Sequence, residues 1–277
     1  MWEKIKKIFK KQTDEWPSLI PISERPYSPR SLFGGVFDVV QLSRVFDDSM
    51  TFVDMTPRKR PRRIIKAYFK RYGTQLDIAR FVRDNFIPPP EYPKSTYAQE
   101  GTTVPTQVRE YIDHMWDILT REAERPKKYS SLLRLPHRYI VPGGRFREIY
   151  YWDSYYTMLG LREAGKHDLL EEMVRNFAFL ISQYGFIPNG NRTYYLTRSQ
   201  PPVFTLMVSL LAEVRGQQVL SEFLPIIVKE YRYWMRGSKN ASFTKKKVSV
   251  KEHVVRMSDG EILNRYFDES IAPREES

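Results

Sequence analysis

Three consecutive stretches decide the fold: HDLLEEMVRNFAFLISQYG (167–185), PPVFTLMVSLLAEVRG (201–216) and VLSEFLPIIVKEYRYWMRG (219–237). Apolar residues recur in each at helical spacing, and each stretch ends at a glycine, the residue that most readily closes a helix. Asp168 lies near the start of the first stretch, where a negative charge suits the helix dipole. Short glycine-containing turns between helices of this length predict antiparallel helical hairpins.

The same helical spacing extends upstream of these stretches. Pro61 is suited to the first turn of a helix, and Gly73 to the position just past its end. Further helices are predicted over 37–46, 75–86, 104–123 and 152–165.

One segment departs from the helical pattern. HVVRMSDGEILNRYF (253–267) has apolar flanks around Asp259-Gly260, a preferred two-residue hairpin turn. The expected fold class is therefore all-α, built from helical hairpins, with a small β-hairpin near the C-terminus.

Composition excludes several kinds of protein. The 277 residues include no cysteine, which rules out disulfides, thiolate zinc sites and cysteine nucleophiles. The four histidines show no metal-ligand spacing, so no metal and no cofactor are expected. No apolar run approaches the roughly 18 residues of a membrane span, and no apolar stretch follows the basic start as in a signal peptide. We expect a cytoplasmic protein, or a periplasmic or secreted one if the N-terminus is incomplete.

The net charge of +12 is concentrated in three stretches. Residues 1–12 carry +4, residues 56–72 carry +8 without an acid, and residues 244–251 carry +4, so the remainder sums to −4. An excess of Lys and Arg over Asp and Glu favours the hypothesis of a nucleic-acid-binding protein. Because the body of the chain is close to neutral, we expect no nucleic-acid partner.

The stretch PGGRFREIYYWDSYYTMLGL (142–161) is the densest in chemically versatile side chains. Gly143-Gly144 permit a backbone turn that residues with a Cβ resist. Aromatic rings beside carboxylates and guanidinium groups suit a sugar, whose C–H faces stack on rings while its hydroxyls form hydrogen bonds. The alternative is that the aromatic residues 150–152 are helix core and the charges are surface pairs.

A second cluster, GFIPNGNRTYYLTRSQPP (185–202), crowds amides and guanidinium groups into a loop between two helices. Loops of this kind on a rigid scaffold are often binding loops. A turn built on residues 188–190 explains Asn189 and Gly190. It does not explain the Arg-Ser-Gln run at 198–200.

At these two clusters the chain resembles the trehalase family, the glycoside hydrolases that cleave α,α-trehalose to glucose. PGGRFREIYYWDSYY is similar to the family signature, and PNGNRTYYLTRSQPP to its second sugar-contacting loop. The hairpin with the following APREES resembles the segment that leads to the family's Arg-Pro-Glu contact. The resemblance runs from about residue 36 to the last residue, and it implies part of an (α/α)6 barrel, a closed ring of six helical hairpins.

Carried across position by position, the resemblance implies sugar-binding roles for Arg145, Trp152, Asp153, Asn189, Arg198, Ser199 and Gln200. The third contact departs from the family pattern. The family has Arg-Pro-Glu-Ser where this chain has Arg274, Glu275, Glu276 and Ser277. Glu275 in place of proline adds a charge and frees φ, which we expect to loosen the contact.

Trehalases resemble other inverting glycosidases in using a general acid and a general base about 6.5–9.5 Å apart. The resemblance implies that both lie on segments with no counterpart among these residues, so no catalytic residue is assigned. Glu148 and Asp153 are five positions apart and are not expected to replace the pair. We expect a truncated trehalase-like chain that retains the sugar-binding motifs.

The expected organisation is an N-terminal arm over 1–35 and the N-terminal half of a catalytic domain over 36–277. Two functions stay open: a half-enzyme completed by a second polypeptide, or an inactive protein that binds trehalose or a related disaccharide. An incomplete ring would leave apolar helix faces exposed, so we expect the isolated chain to associate or to be poorly soluble.

Overall fold

Helices dominate the computed structural model, which describes residues 28–71, 77–90, 108–125, 127–241, 248–271 and 273–276. The helices of these residues are α1 (Pro29–Phe33), α2 (Gly35–Leu42), α3 (Met50–Asp54), α4 (Pro61–Lys70), α5 (Ile78–Asn85), α6 (Val108–Leu119), α7 (Tyr151–Glu163), α8 (His167–Tyr184), α9 (Phe204–Arg215) and α10 (Gln218–Trp234). No helix of the described residues is long and apolar enough to cross a membrane.

The ends of the long helices follow the local sequence signals. α4 begins at Pro61, as predicted; Gly73 lies outside the described residues. α8 ends where Gly185 takes the left-handed conformation (φ 85°) and its N–H donates to the Ile181 carbonyl at 2.8 Å. A side chain at this φ would be strained, so the glycine fixes the end of the helix.

The helix predicted over 104–123 is wrong at its C-terminal end. α6 stops at Leu119, and Thr120–Arg121 forms strand β3, which pairs with β4 (Tyr139–Ile140) in antiparallel register. Tertiary pairing outweighs helical periodicity here, because Tyr139 and Ile140 are buried and hold the chain in an extended form. A similar two-residue pair joins β1 (Thr56–Pro57) to β2 (Phe86–Ile87).

The predicted C-terminal hairpin is confirmed and is part of a larger sheet. β6 (Val254–Arg256) and β7 (Ile262–Asn264) pair in antiparallel register around the Asp259-Gly260 turn. A third strand, β5 (Ser249–Lys251), pairs with the other edge of β6. The all-α class with a small β element near the C-terminus is thus confirmed.

Two apolar cores flank the loop 185–202. The larger core lies among α7, α8, α9 and α10, which pack on one another in pairs through short connections, as in part of a helical barrel. The smaller core is formed by α1–α5. Tyr194 and Tyr195 from the loop are buried in the smaller core, so the loop is held between two packed bodies.

The N-terminal arm predicted over 1–35 lies largely outside the described residues, which begin at 28. Its last residues form α1 and the start of α2. Phe33 is buried there and meets the Phe86 ring edge-on at a centroid distance of 5.1 Å.

A buried hydroxyl connects three helices of the larger core. The Tyr151 hydroxyl donates to Glu230 Oε1 at 2.5 Å and accepts from the N–H groups of Val203 and Phe204, each at 2.8 Å. These bonds tie the start of α7 to the start of α9 and to α10. Burial raises the pKa of Glu230 to about 7, and the hydrogen bond from Tyr151 opposes that rise.

This raised pKa predicts a pH-dependent effect of Glu230→Gln. The folded chain holds a proton on Glu230 that the unfolded chain loses near the ordinary value of 4.5, so stability declines as pH rises from there through about 7. Gln keeps an acceptor for Tyr151 and carries no charge. In urea unfolding we expect the variant to gain about 2 kcal/mol at about pH 8 and close to nothing at about pH 4.

The exposed Glu163→Gln, on α7, is the control and should change little at either pH. An equal gain or loss at both pH values for Glu230→Gln would refute the assignment.

Candidate functional site

The glycine pair of the signature forms a tight turn. Gly143 and Gly144 have φ of 94° and 60°, and the Phe146 N–H donates to the Gly143 carbonyl at 3.1 Å. A Cβ on Gly143 would lie 2.8 Å from the Leu119 side chain, so both conformation and space require glycine. Arg145 is exposed on this turn, with its guanidinium 5.1 Å from the centre of the Phe146 ring.

The first turn of α7 divides the following residues between core and solvent. Tyr151 is fully buried, Trp152 is 43% exposed and Asp153 is exposed. The interpretation of residues 150–152 as helix core is therefore right for Tyr151 and wrong for Trp152. A large ring and a carboxylate stand side by side in solvent at a helix start, where the dipole favours the negative charge.

The second loop lies directly along the signature. The Tyr151 N–H donates to the Asn189 carbonyl at 3.0 Å, and the Ile149 N–H donates to Asn191 Oδ1 at 2.9 Å. Gly190 permits this approach, because a Cβ there would lie 2.8 Å from the Ile149 carbonyl oxygen. Asn189 Oδ1 is buried and has no hydrogen-bond donor among the described residues.

The Arg-Ser-Gln run continues the contact with α7. Gln200 Oε1 accepts from the Trp152 backbone N–H at 3.0 Å. Ser199 is buried and its hydroxyl donates to the Gln200 carbonyl at 3.1 Å. The hydrogen bond ties Gln200 to the backbone of Trp152, 48 positions away in the chain.

The third predicted contact is divided between two places. Arg198 is 2% exposed and donates to Glu276 Oε1 at 2.7 Å, with Asp268 at 3.5 Å. Glu275 instead points to α1, where its Oε2 accepts from the Arg30 N–H at 3.2 Å. Arg274 is exposed. The structure therefore brings Glu276 to Arg198 and leaves Arg274 and Glu275 apart from it.

Burial raises the pKa of Glu275, against the hydrogen bonds that it accepts. Glu275, at the position where the family pattern has proline, thus contributes a hydrogen bond to α1.

A row of aromatic rings joins Arg145 to Arg198. Phe146 meets Tyr150 edge-on at 5.5 Å, and Tyr150 meets Tyr195 at 5.9 Å. The Arg198 guanidinium lies 4.9 Å from the centre of the Tyr195 ring. Sequence reasoning did not assign Phe146, Tyr150 and Tyr195 to the site, although the first two stand within the signature.

Beneath this row lies a buried ion cluster that the sequence did not predict. Arg192 Nη2 donates to Asp54 Oδ2 at 2.8 Å and its Nε donates to Glu148 Oε2 at 3.1 Å. The Asp54 and Glu148 side chains are fully buried, and that of Arg192 is 5% exposed. Tyr194 donates to Asp54 at 3.0 Å, and Tyr150 donates to Glu148 at 2.6 Å.

The pKa values of Asp54 and Arg192 reflect this burial. Burial raises the pKa of Asp54 to about 6, and Arg192 holds it below what burial alone would give. Burial would lower the pKa of Arg192, but the two carboxylates outweigh it and the net direction is upward. Glu148 is bonded to Arg192 and Tyr150, whereas Asp153 is exposed to solvent. Glu148 and Asp153 therefore have separate surroundings, as expected from their spacing in the sequence.

Within the described part of the chain, no group of three His, Asp or Glu residues could hold a metal ion. The arrangement can bind a polyhydroxylated ligand: exposed aromatic faces border carboxylate, amide and guanidinium groups on loops of a helical scaffold. Fold and site together define a helical protein whose loops gather aromatic, amide and charged side chains on one surface.

The family is established by sequence. Residues 44–277 match the family model described as Trehalase. The chain belongs to the trehalase family, whose members are glycoside hydrolases.

Two relatives illustrate the match. The periplasmic trehalase of Escherichia coli O1:K1 / APEC is 46% identical over 256 residues, which are 92% of this chain and 44% of that protein. The periplasmic trehalase of Shigella flexneri serotype 5b (strain 8401) is 46% identical over 258 residues, which are 93% of this chain and 44% of that protein. The chain thus spans less than half the length of these relatives.

Among solved structures, neutral trehalase Nth1 from Saccharomyces cerevisiae is 35% identical where it aligns. The alignment has a TM-score of 0.33 and covers 47% of this chain and 26% of that one.

Proposed function

We propose that residues 36–277 are the sugar-binding part of a trehalose-hydrolysing domain. In this proposal trehalose, or a related disaccharide, is held by Arg145, Trp152, Asp153, Asn189, Arg198, Ser199 and Gln200, together with Glu276. Arg274 and Glu275 have secondary roles, because neither lies against Arg198.

The observation that carries the proposal is the hydrogen bond between the Gln200 side chain and the Trp152 backbone N–H, at 3.0 Å. It joins the second loop to the signature at Trp152, the residue that is 43% exposed. An exposed tryptophan at the start of a packed helix has a clear use as a stacking surface for a sugar ring.

Cleavage with inversion needs a general acid and a general base. In the described residues, Glu148 is occupied by Arg192 and Tyr150, and Glu276 by Arg198. We propose that the acid and base come from sequence that is not among these 277 residues, on the same chain or on a second polypeptide. The motifs present here would bind and orient the sugar for that pair.

Exposed apolar residues on α10 support the proposal that this face of the helix packs against protein that is not among these 277 residues. Leu220 and Leu224 are each 37% exposed and Tyr231 is 62% exposed, and their spacing places them on one stripe of the helix. Apolar stripes of this kind mark faces that pack against other protein.

The relatives are named as periplasmic proteins. We propose the same compartment for this chain, which was the alternative to the cytoplasmic location expected from the sequence.

Titration calorimetry with trehalose tests the proposal. We expect saturable heat at millimolar trehalose and much weaker heat with maltose, which has the same atoms and a different glycosidic linkage. Absence of heat with trehalose under these conditions would contradict the proposed binding function.

A further inference from the structure

A positively charged cleft lies between α1, the start of α4 and the loop 127–131. It has a volume of about 770 Å³ and is lined by Ser31, Leu32, Arg60, Pro61, Arg62, Arg63, Lys128 and Tyr129. None of these residues belongs to the proposed trehalose site.

Of the eight described residues that line the cleft, four are cations and none is an acid. Residues 56–72 as a whole contain eight Lys or Arg and no Asp or Glu. Within the described part of the chain, no carboxylate forms an ion pair with Arg60, Arg62, Arg63 or Lys128. Like charges gathered without a counter-charge repel one another, and a bound anion would relieve that repulsion.

The scaffold holds these cations in place. α4 buries Pro61, Ile64 and Tyr68 in the smaller core, which leaves Arg62 and Arg63 exposed on the other side of the helix. α1 packs against α4 and supplies Leu32 to the cleft. The positions of the arginine backbones are therefore fixed by packing, although their side chains are in solvent.

Lys128 reaches the cleft from a distant segment. Its ammonium lies 5.3 Å from the centre of the Tyr129 ring, and Tyr129 has a φ of 63°, a conformation that aromatic residues rarely adopt. Residues 60–63 and Lys128 thus bring positive charge to one cleft from positions more than 60 residues apart in the chain.

We propose that this cleft binds a ligand carrying a multivalent phosphate group. Arginine presents planar pairs of donors that match phosphate oxygens, and three arginines with a lysine can neutralise several negative charges. Leu32, Pro61 and Tyr129 add apolar surface for an organic part of the ligand. The volume is within the range of small-molecule sites.

Two double variants with the same loss of charge separate a site from a general basic surface. Arg60→Gln with Arg63→Gln removes two cations of the cleft. Lys66→Gln with Lys70→Gln removes two exposed cations of the same helix that do not line it. Circular dichroism without ligand checks that both variants fold as the unaltered chain does.

Calorimetric titration with inorganic pyrophosphate, at about 0.15 M salt to screen diffuse attraction, is the first measurement. We expect saturable binding that is at least about 10-fold weaker in the cleft variant and within about twofold of normal in the lysine variant. Equal weakening in both variants, or no saturable binding by the unaltered chain, would overturn the proposal.

Sedimentation with vesicles of phosphatidic acid, a phosphomonoester lipid, in phosphatidylcholine distinguishes the sources of the phosphate. Vesicle binding that only the cleft variant loses supports the proposal with a lipid headgroup as the source. Pyrophosphate binding without vesicle binding supports it with a soluble phosphorylated molecule. Vesicle binding that both variants lose equally identifies a diffuse basic surface and overturns it. These results do not depend on trehalose binding.

Discussion

Arg192→Met is expected to destabilise the chain by about 3–5 kcal/mol, enough to remove most of the stability of an ordinary domain. Arg192 joins Asp54 and Glu148, whose side chains are fully buried. Met fills a similar volume but removes the cation that bonds both carboxylates in the protein interior, and Arg147 lies no closer to Asp54 than 3.9 Å. Urea unfolding followed by circular dichroism measures the loss.

Arg215→Met is the matched control, because Arg215 also pairs with two carboxylates, Asp168 and Glu171, at the surface. Exposed pairs contribute little, so this change should cost less than about 1 kcal/mol. Adding Asp54→Asn and Glu148→Gln to Arg192→Met should recover much of the loss, since no buried carboxylate then remains without Arg192. Equal costs for the two single variants would show that the buried cluster does not hold the fold.

Asp153→Ala is expected to weaken trehalose binding about 100-fold, as the loss of one or two charge-assisted hydrogen bonds would. Asp153 is exposed, and its carboxylate forms no hydrogen bond or ion pair among the described residues, so the free energy of unfolding should change little. A change in affinity without a change in stability separates a binding role from a structural one. Titration calorimetry and urea unfolding of the same preparation measure both.

Glu163→Ala is the control at the other end of the same helix. Its carboxylate is exposed and pairs with Arg162, far from the second loop. Trehalose affinity should stay within about twofold of normal. A loss of affinity in this control equal to that of Asp153→Ala would show a general effect of charge on α7 and would remove Asp153 from the proposed site.

The helical part of the fold was predictable because its signals are local. Pro61 begins α4 and Gly185 ends α8, each through the conformational preference of a single residue. The Asp259-Gly260 turn was likewise visible in the sequence. β5 was not predicted, because its three residues carry little pattern and are held by pairing with β6.

The candidate site was predictable where its residues are close in the sequence. Trp152 and Asp153 lie in the signature, and Arg198 and Gln200 in the loop. Asp54 could not be assigned, since it is 138 positions from Arg192 and its neighbours are those of an ordinary short helix. Only the packing of the two cores shows that this carboxylate supports the loop.

The central claim is that the signature and the second loop form one trehalose-binding surface, and the indole N–H resonances of ¹⁵N-tryptophan-labelled protein test it most directly. The Trp152 resonance, assigned from the spectrum of Trp152→Phe, should shift saturably as trehalose is added. The resonances of Trp116 and Trp234, whose indole nitrogens are buried, should stay in place. A Trp152 resonance that does not move at saturating trehalose would contradict the account.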